Sequence, residues 1–243
     1  VFPLARSDIS VSTGDRLHAP ISRYVSAFVL ADRISDLRLL CDGLGPMVLE
    51  TGEIAIDIND QTMEEFVPGR RFDRWILEAD ISDWIEPGVN RVRVLVRWSA
   101  GPPTSLYQAF WLAGDFLVRE LQGLDVLTNR ESSLTTGLGS WTEQGFPYYA
   151  GPAVYRQWAT IPETMKHRRF YVRFESVKEL VEVRVNGNIE DVLLGPPWRC
   201  EITDAIVLGE NQFEFVVVNA LDNALRLANR PSGLLGPVVL EAR

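Results

Sequence analysis

Flat aromatic faces stack on the apolar C–H side of pyranose rings, while amides, carboxylates and guanidinium groups meet the hydroxyls. The residues best able to do this concentrate in one half of the chain. The stretch WTEQGFPYYAGPAVY, Trp141 to Tyr155, holds five aromatic residues in fifteen positions. Trp141, Tyr148 and Tyr149, together with Arg156, Asn186, Trp198 and Asn219, make a candidate ligand-contacting set. Tyr155 and Trp158 fall in an alternating run and are expected to pack into a core. Asn186 also has a structural reading, because Asn tolerates the left-handed backbone of a strand-ending VNG turn.

Evidence of bond-breaking chemistry is thinner. Hydrolysis by a carboxylate pair needs two acids held about 5 to 10 Å apart, one of them protonated near neutral pH. The chain has 33 acidic residues, so pairs such as Glu64/Glu65 and Glu190/Asp191 arise without functional cause. Glu143, inside the aromatic stretch, is the one acid whose setting merits a test as a catalyst, and no catalytic residue is assigned. There is no GxSxG, HExxH, P-loop or GxGxxG motif, and GLGSW, Gly137 to Trp141, opens no predicted helix and reads as a loop. Cys41 and Cys200 lack a CxxC or histidine-rich neighbour and read as small buried hydrophobes. His18 and His167 are too few for a histidine-based metal site and read as surface or turn residues.

The elements that must position these residues are strands. NRVRVLVRW (Asn90 to Trp98), RRFYVRFESV (Arg168 to Val177), LVEVRVNGN (Leu180 to Asn188) and NQFEFVVVNA (Asn211 to Ala220) alternate with period two, as half-buried strands do. Turn residues separate such runs at intervals that favour an antiparallel sandwich over a βαβ series.

The chain also echoes itself. DISDWIEPGVNRVRVLV (Asp80 to Val96) aligns without a gap to EITDAIVLGENQFEFVV (Glu201 to Val217), with Ile81, Asp83, Ile85, Gly88 and Asn90 meeting Ile202, Asp204, Ile206, Gly209 and Asn211. EIAIDIND (Glu53 to Asp60) resembles LVEVRVNG (Leu180 to Gly187), YVSAFVL (Tyr24 to Leu30) resembles YRQWATI (Tyr155 to Ile161), and WLAGDFLV (Trp111 to Val118) resembles GLLGPVVL (Gly233 to Leu240). Such self-similarity marks a duplicated unit. The expectation is an all-β chain of two tandem antiparallel β-sandwich domains, 1–125 and 126–243, with Leu121 to Ser140 as connector. The polar turns around Ser82 and Thr203, the two glycines and the two asparagines read as architecture.

Bulk properties narrow the partners. A length of 243 residues with 46% hydrophobic and 23% charged residues suits a globular chain. A net charge of −9 works against a nucleic-acid partner, whose affinity comes from clustered Lys and Arg. Nothing reads as a membrane span. The start VFPLARSDIS has neither an initiator Met nor a signal-like h-region, which suggests a mature or excised piece of something larger.

The ordered set YRQWATIP, VEVRVNG and EITDAIVLGENQFEFVVVN resembles the galactose-binding-like jelly-roll modules of large bacterial glycoside hydrolases, such as the sugar-binding domain of family 2 enzymes. WTEQGFPYYAG and SGLLGPVVL are most similar to the C-terminal region of family 106 α-L-rhamnosidase-like enzymes. The resemblance covers about residues 139 to 243; the first repeat has Ile58-Asn59-Asp60 where the pattern has V-N-G and joins through the internal echo. It implies jelly-roll sandwiches, a carbohydrate partner, a catalytic domain as neighbour, no cofactor beyond a structural calcium, and secretion or a periplasmic place. The D-x-S/T-D turns alone offer too few oxygens for the six to eight that calcium takes. Two main readings follow, a non-catalytic carbohydrate-binding region and a structural accessory that packs on a catalytic domain; a small intact glycosidase is the third.

Overall fold

The computed structural model describes residues 2–4, 8–12, 21–42, 52–63, 66–71, 74–98, 110–130, 137–226 and 229–243. The chain is all-β and divides into two compact units, Val1–Leu134 and Thr135–Arg243. His18, Glu64 and Glu65 lie outside the described residues.

In the first unit the strands are β1 (Phe2–Pro3), β2 (Asp8–Ser12), β3 (Ile21–Leu30), β4 (Leu37–Asp42), β5 (Gly52–Ile58), β6 (Gln61–Met63), β7 (Val67–Arg71), β8 (Arg74–Asp80), β9 (Gly88–Trp98), β10 (Phe110–Gly114), β11 (Phe116–Leu121) and β12 (Leu124–Asn129). One sheet runs β1-β10-β4-β8-β7 and the other β11-β12-β3-β9-β5-β6, with β2 also on β3. Part of the segment expected as connector is therefore strand, since Leu124–Asn129 pairs with both β11 and β3.

The second unit contains β13 (Gly151–Ile161), β14 (Phe170–Phe174), β15 (Leu180–Val185), β16 (Asn188–Leu193), β17 (Arg199–Glu201), β18 (Gly209–Asn219) and β19 (Val238–Ala242), with a short helix α1 (Asp222–Arg226). Its sheets are β13-β18-β15-β16 and β17-β14-β19. Alternation explains the packing: Val181, Val183, Val185 and Val217 are fully buried, and Phe174 meets Phe215 edge-on at 5.1 Å. Each such side chain contributes about 1.5–3 kcal/mol of burial.

The echo is matched in three dimensions. Leu30 pairs with Gly88 as Ile161 pairs with Gly209, and Ile58 pairs with Val92 as Val185 pairs with Phe213. One alignment needs correction. β10 pairs with β4 as β19 pairs with β14, so the counterpart of β19 is β10; the strand after Gly114 is β11, which lies in the other sheet.

A pair of asparagines is duplicated bond for bond. Asn211, wholly buried, donates to the carbonyls of Val207 (2.7 Å) and Gly209 (3.1 Å) and accepts from the Val207 amide (2.9 Å). Asn90 does the same with Glu86 and Gly88. A second asparagine, in the left-handed region at Asn59 (φ 50°) and Asn186 (φ 52°), donates to the first one's Oδ1 at 2.8 and 3.0 Å. Gly88 and Gly209, at φ 106° and 94°, give the backbone the positive φ that this loop needs. Likewise Ser82 Oγ accepts from the Leu37 amide and donates to Asp80, while Thr203 Oγ1 accepts from the Phe170 amide and donates to Glu201.

Candidate functional site

The aromatic stretch forms one end of the second sandwich. Trp141 opens a 3-10 turn, Trp141–Gln144, capped by Ser140 Oγ. Its indole is 1% exposed, donates to Tyr155 Oη at 2.6 Å and lies flat against Gly233, where a Cβ would come within 2.4 Å of the indole nitrogen. Only glycine permits that approach. Tyr149 packs edge-on against Trp141 and Phe146 and donates its hydroxyl to the Pro152 carbonyl at 2.7 Å. Asn219, 8% exposed, donates to the Tyr149 carbonyl at 3.0 Å.

Three members of the expected contact set have their side-chain donors engaged within the fold, Trp141 and Asn219 buried and Asn186 exposed. Trp141 is core, Asn219 holds the Tyr149 loop, and the Asn186 amide serves the asparagine pair and the Ala205 carbonyl. Tyr149 is half-buried with its hydroxyl engaged. Tyr148 and Trp198 are half-buried, the latter packed on the core with its carbonyl accepting from Phe174. Arg156 alone of the set is exposed on a strand face.

Arg156 points to a site that the set missed. Cross-strand register places Trp158 beside Gln212, and Arg156 in a row with Glu214, Arg184 and Ile189. The next row is Val154, Val216, Glu182 and Val192. Those on β13, β18 and β15 stand on the outer face, because their neighbours in sequence are the inward residues of the same strands, and Ile189 and Val192 are exposed beside them on β16. Arg156 Nε donates to Glu214 Oε1 at 2.6 Å, and Arg184 pairs with Glu182. Trp158 is 51% exposed.

Trp158 was expected in the core with Tyr155, yet residues three apart on a regular strand face opposite ways. Tyr155 and Ile161 are the inward ones. That parity was the signal that could have found the face. A flat sheet carrying one open indole, two guanidinium–carboxylate pairs and an amide can stack an apolar ring face and meet hydroxyls around it.

The other side of β13 borders a cavity of about 410 Å³ between the two sheets, lined by Tyr155, Ala159, Phe213, Phe215, Val238 and Leu240. The three-stranded sheet has its own charged outer face. Glu241 accepts from Arg173 (2.8 Å) and Arg199 (3.3 Å), and the Arg173 hydrogen bond, ahead of the Arg199 and Arg243 charges, holds its carboxyl below the usual range.

Cys41 and Cys200 are free and buried, and burial pushes the Cys200 thiol up to about 11. Glu143 is exposed in its 3-10 turn. The acids of the two polar turns, Asp80 and Glu201, accept from Ser82 and Thr203. Among the described residues, no group of three or more His, Cys, Asp and Glu gathers that could hold a metal.

The fold and this face define a tandem β-sandwich protein with a candidate binding platform on one sheet. No family model matches the chain, and no curated protein sequence matches it. Among solved structures it is similar to parts of glycoside hydrolases. A rhamnosidase from Novosphingobium sp. PP1Y matches 100% of the chain and 25% of its own at 16% identity, with a TM-score of 0.38. The α-L-rhamnosidase of Streptomyces avermitilis, in complex with L-rhamnose, matches 99% of the chain and 27% of its own at 11% identity and TM-score 0.34. A family 2 glycosyl hydrolase from Bacteroides cellulosilyticus DSM 14838 matches 82% and 24% at 15% identity and TM-score 0.27. The chain spans about a quarter of each of these proteins.

Proposed function

We propose that the chain is a non-catalytic carbohydrate-binding region of a larger glycoside hydrolase, and that the outer face around Trp158 is its contact surface. The observation that carries this reading is the half-exposed indole beside Gln212, with the Arg156–Glu214 pair next to it on the same strands. The indole supplies a stacking face, and the ion-paired side chains are held in place to offer donors and acceptors. Open shallow faces of this kind bind weakly, with a Kd of about 0.1 to 1 mM, or about −4 to −5.5 kcal/mol.

Affinity gels cast with a panel of plant and bacterial glycans test it. The chain should be retarded by at least one glycan, and Trp158→Ala should remove the retardation. Retardation unchanged in Trp158→Ala but lost in Trp198→Ala or Tyr148→Ala would move the site to the end of the sandwich.

A second reading rests on the aliphatic side chains of the same face. Val154, Val192 and Ile189 are 47%, 44% and 59% exposed, and such an aliphatic cluster on two adjacent rows suits an accessory packed against a catalytic domain. It calls for no glycan retention and for co-purification with the parent enzyme's catalytic domain.

A further inference from the structure

The duplicated unit shows what belongs on the edge strand of this fold. In the first unit the outer edge of β3 is covered twice, by β2 over Ile21–Val25 and by β12 at Val29 and Leu30, and β1 covers the outer edge of β10. The counterparts of β3 and β10 are β13 and β19. Among the described residues, each stands at the end of its sheet with no strand beside it. Beside β13 and β19 opens the cavity of about 410 Å³, whose lining also includes Gly137, Leu138 and Leu234.

We infer that the free edge of β13 accepts an extended peptide strand of acidic–apolar–polar–apolar pattern, which pairs with its backbone and fills the cavity. In the first unit the register sets Asp8, Ile9, Ser10 and Val11 opposite Val25, Tyr24, Arg23 and Ser22. By the matched registers, the equivalents of Val25, Tyr24, Arg23 and Ser22 are Arg156, Tyr155, Val154 and Ala153. A strand of the same pattern laid on β13 sets its acid opposite Arg156, whose side chain is 58% exposed while its Nε is held by Glu214. Its two apolar residues fall opposite Tyr155 and Ala153 on the inward face, the first of them beside the cavity that Tyr155 lines. The acidic position and the first apolar position are thus the two that the face can read.

The backbone is arranged for this pairing. The carbonyls of Pro152 and Trp158 accept from Tyr149 Oη and Gln157 Nε2. Residues two apart on an antiparallel strand turn their backbone groups to the same edge. The amides and carbonyls of Val154 and Arg156, lying between them, therefore also face outward. Strand addition of this kind draws affinity from main-chain hydrogen bonds and specificity from alternate side chains.

The test titrates the whole, isotope-labelled chain with the synthetic peptide SDISVST, the sequence of residues 7–13, while following backbone amides by NMR. Saturable shifts should appear at Val154 and Arg156. A peptide with Ile and Val replaced by Ser should bind at least tenfold more weakly. Val154→Pro removes one outward N–H, which an edge strand tolerates, and should cost at least tenfold. As a second check on the same chemistry, Arg156→Glu should weaken SDISVST and favour a peptide that begins SKISVST. No shift at β13 up to millimolar peptide, binding indifferent to both changes, or a peptide-free dimer that protects the same amides would overturn the inference.

Discussion

The two units share their internal wiring and differ at their edges. In both, a buried asparagine ties the loop before a long central strand, a left-handed asparagine clamps it from the neighbouring hairpin, and a hydroxyl bridges an acid to a strand amide. The first unit then covers β3 with β2 and β12, whereas in the second, among the described residues, no strand pairs with the outer edge of β13, and Trp158 faces outward from that strand. What is duplicated holds the sandwich together. Among the described residues, the uncovered edge of β13 is what sets the second unit apart.

The comparison can be broken most sharply at Trp141. Trp141→Ala empties a buried site that joins the end stretch to the core, and should destabilise the second unit by about 3–5 kcal/mol in urea unfolding. Trp158→Ala, on the open face, should cost no more than about 0.5 kcal/mol. Equal losses would mean that both tryptophans are structural.

Asn90→Ala and Asn211→Ala each take the side-chain partner from two part-buried carbonyls and an amide. Each should cost about 2–4 kcal/mol, with the two values within about 1 kcal/mol of each other. A large cost in one unit and none in the other would show that the shared bonds do unequal work.

Ser82→Ala and Thr203→Ala should each cost about 1 kcal/mol at pH 7. The Ser82 hydroxyl, followed by its amide, holds the Asp80 carboxyl below its ordinary value of 3.8. The folded pKa being the lower one, the stabilisation is complete above that ordinary value and is lost as pH falls through the folded pKa. Ser82→Ala should therefore flatten the acid limb of the stability profile. The same sign applies to Glu241, so Glu241→Gln should remove a second part of that limb, read as a shift of the acid unfolding midpoint.

Much of the fold was legible because period-two alternation and turn chemistry are local signals. The runs at β9, β14, β15 and β18 are strands, and the DIS/EIT echo corresponds to matched registers. The strand at Leu124–Asn129 was hidden in a polar, aromatic-poor stretch, and the true partner of β19 was hidden because a glycine-led match fitted the wrong neighbour. The candidate face was less legible. Aromatic density at residues 141–155 marks how the sandwich end is packed, since Trp141, Phe146 and Tyr149 contact one another. The open indole stands alone in an ordinary-looking strand, and only its offset of three from both Tyr155 and Ile161 betrays which way it faces.

The most direct test is an amide chemical-shift titration of the labelled chain with a glycan that retards it. The first amides to move should be those of Arg156, Trp158 and Gln212, with the effect gone in Trp158→Ala. Movement centred instead on Trp141–Gly151 and Trp198, with the sheet face silent, would contradict the account.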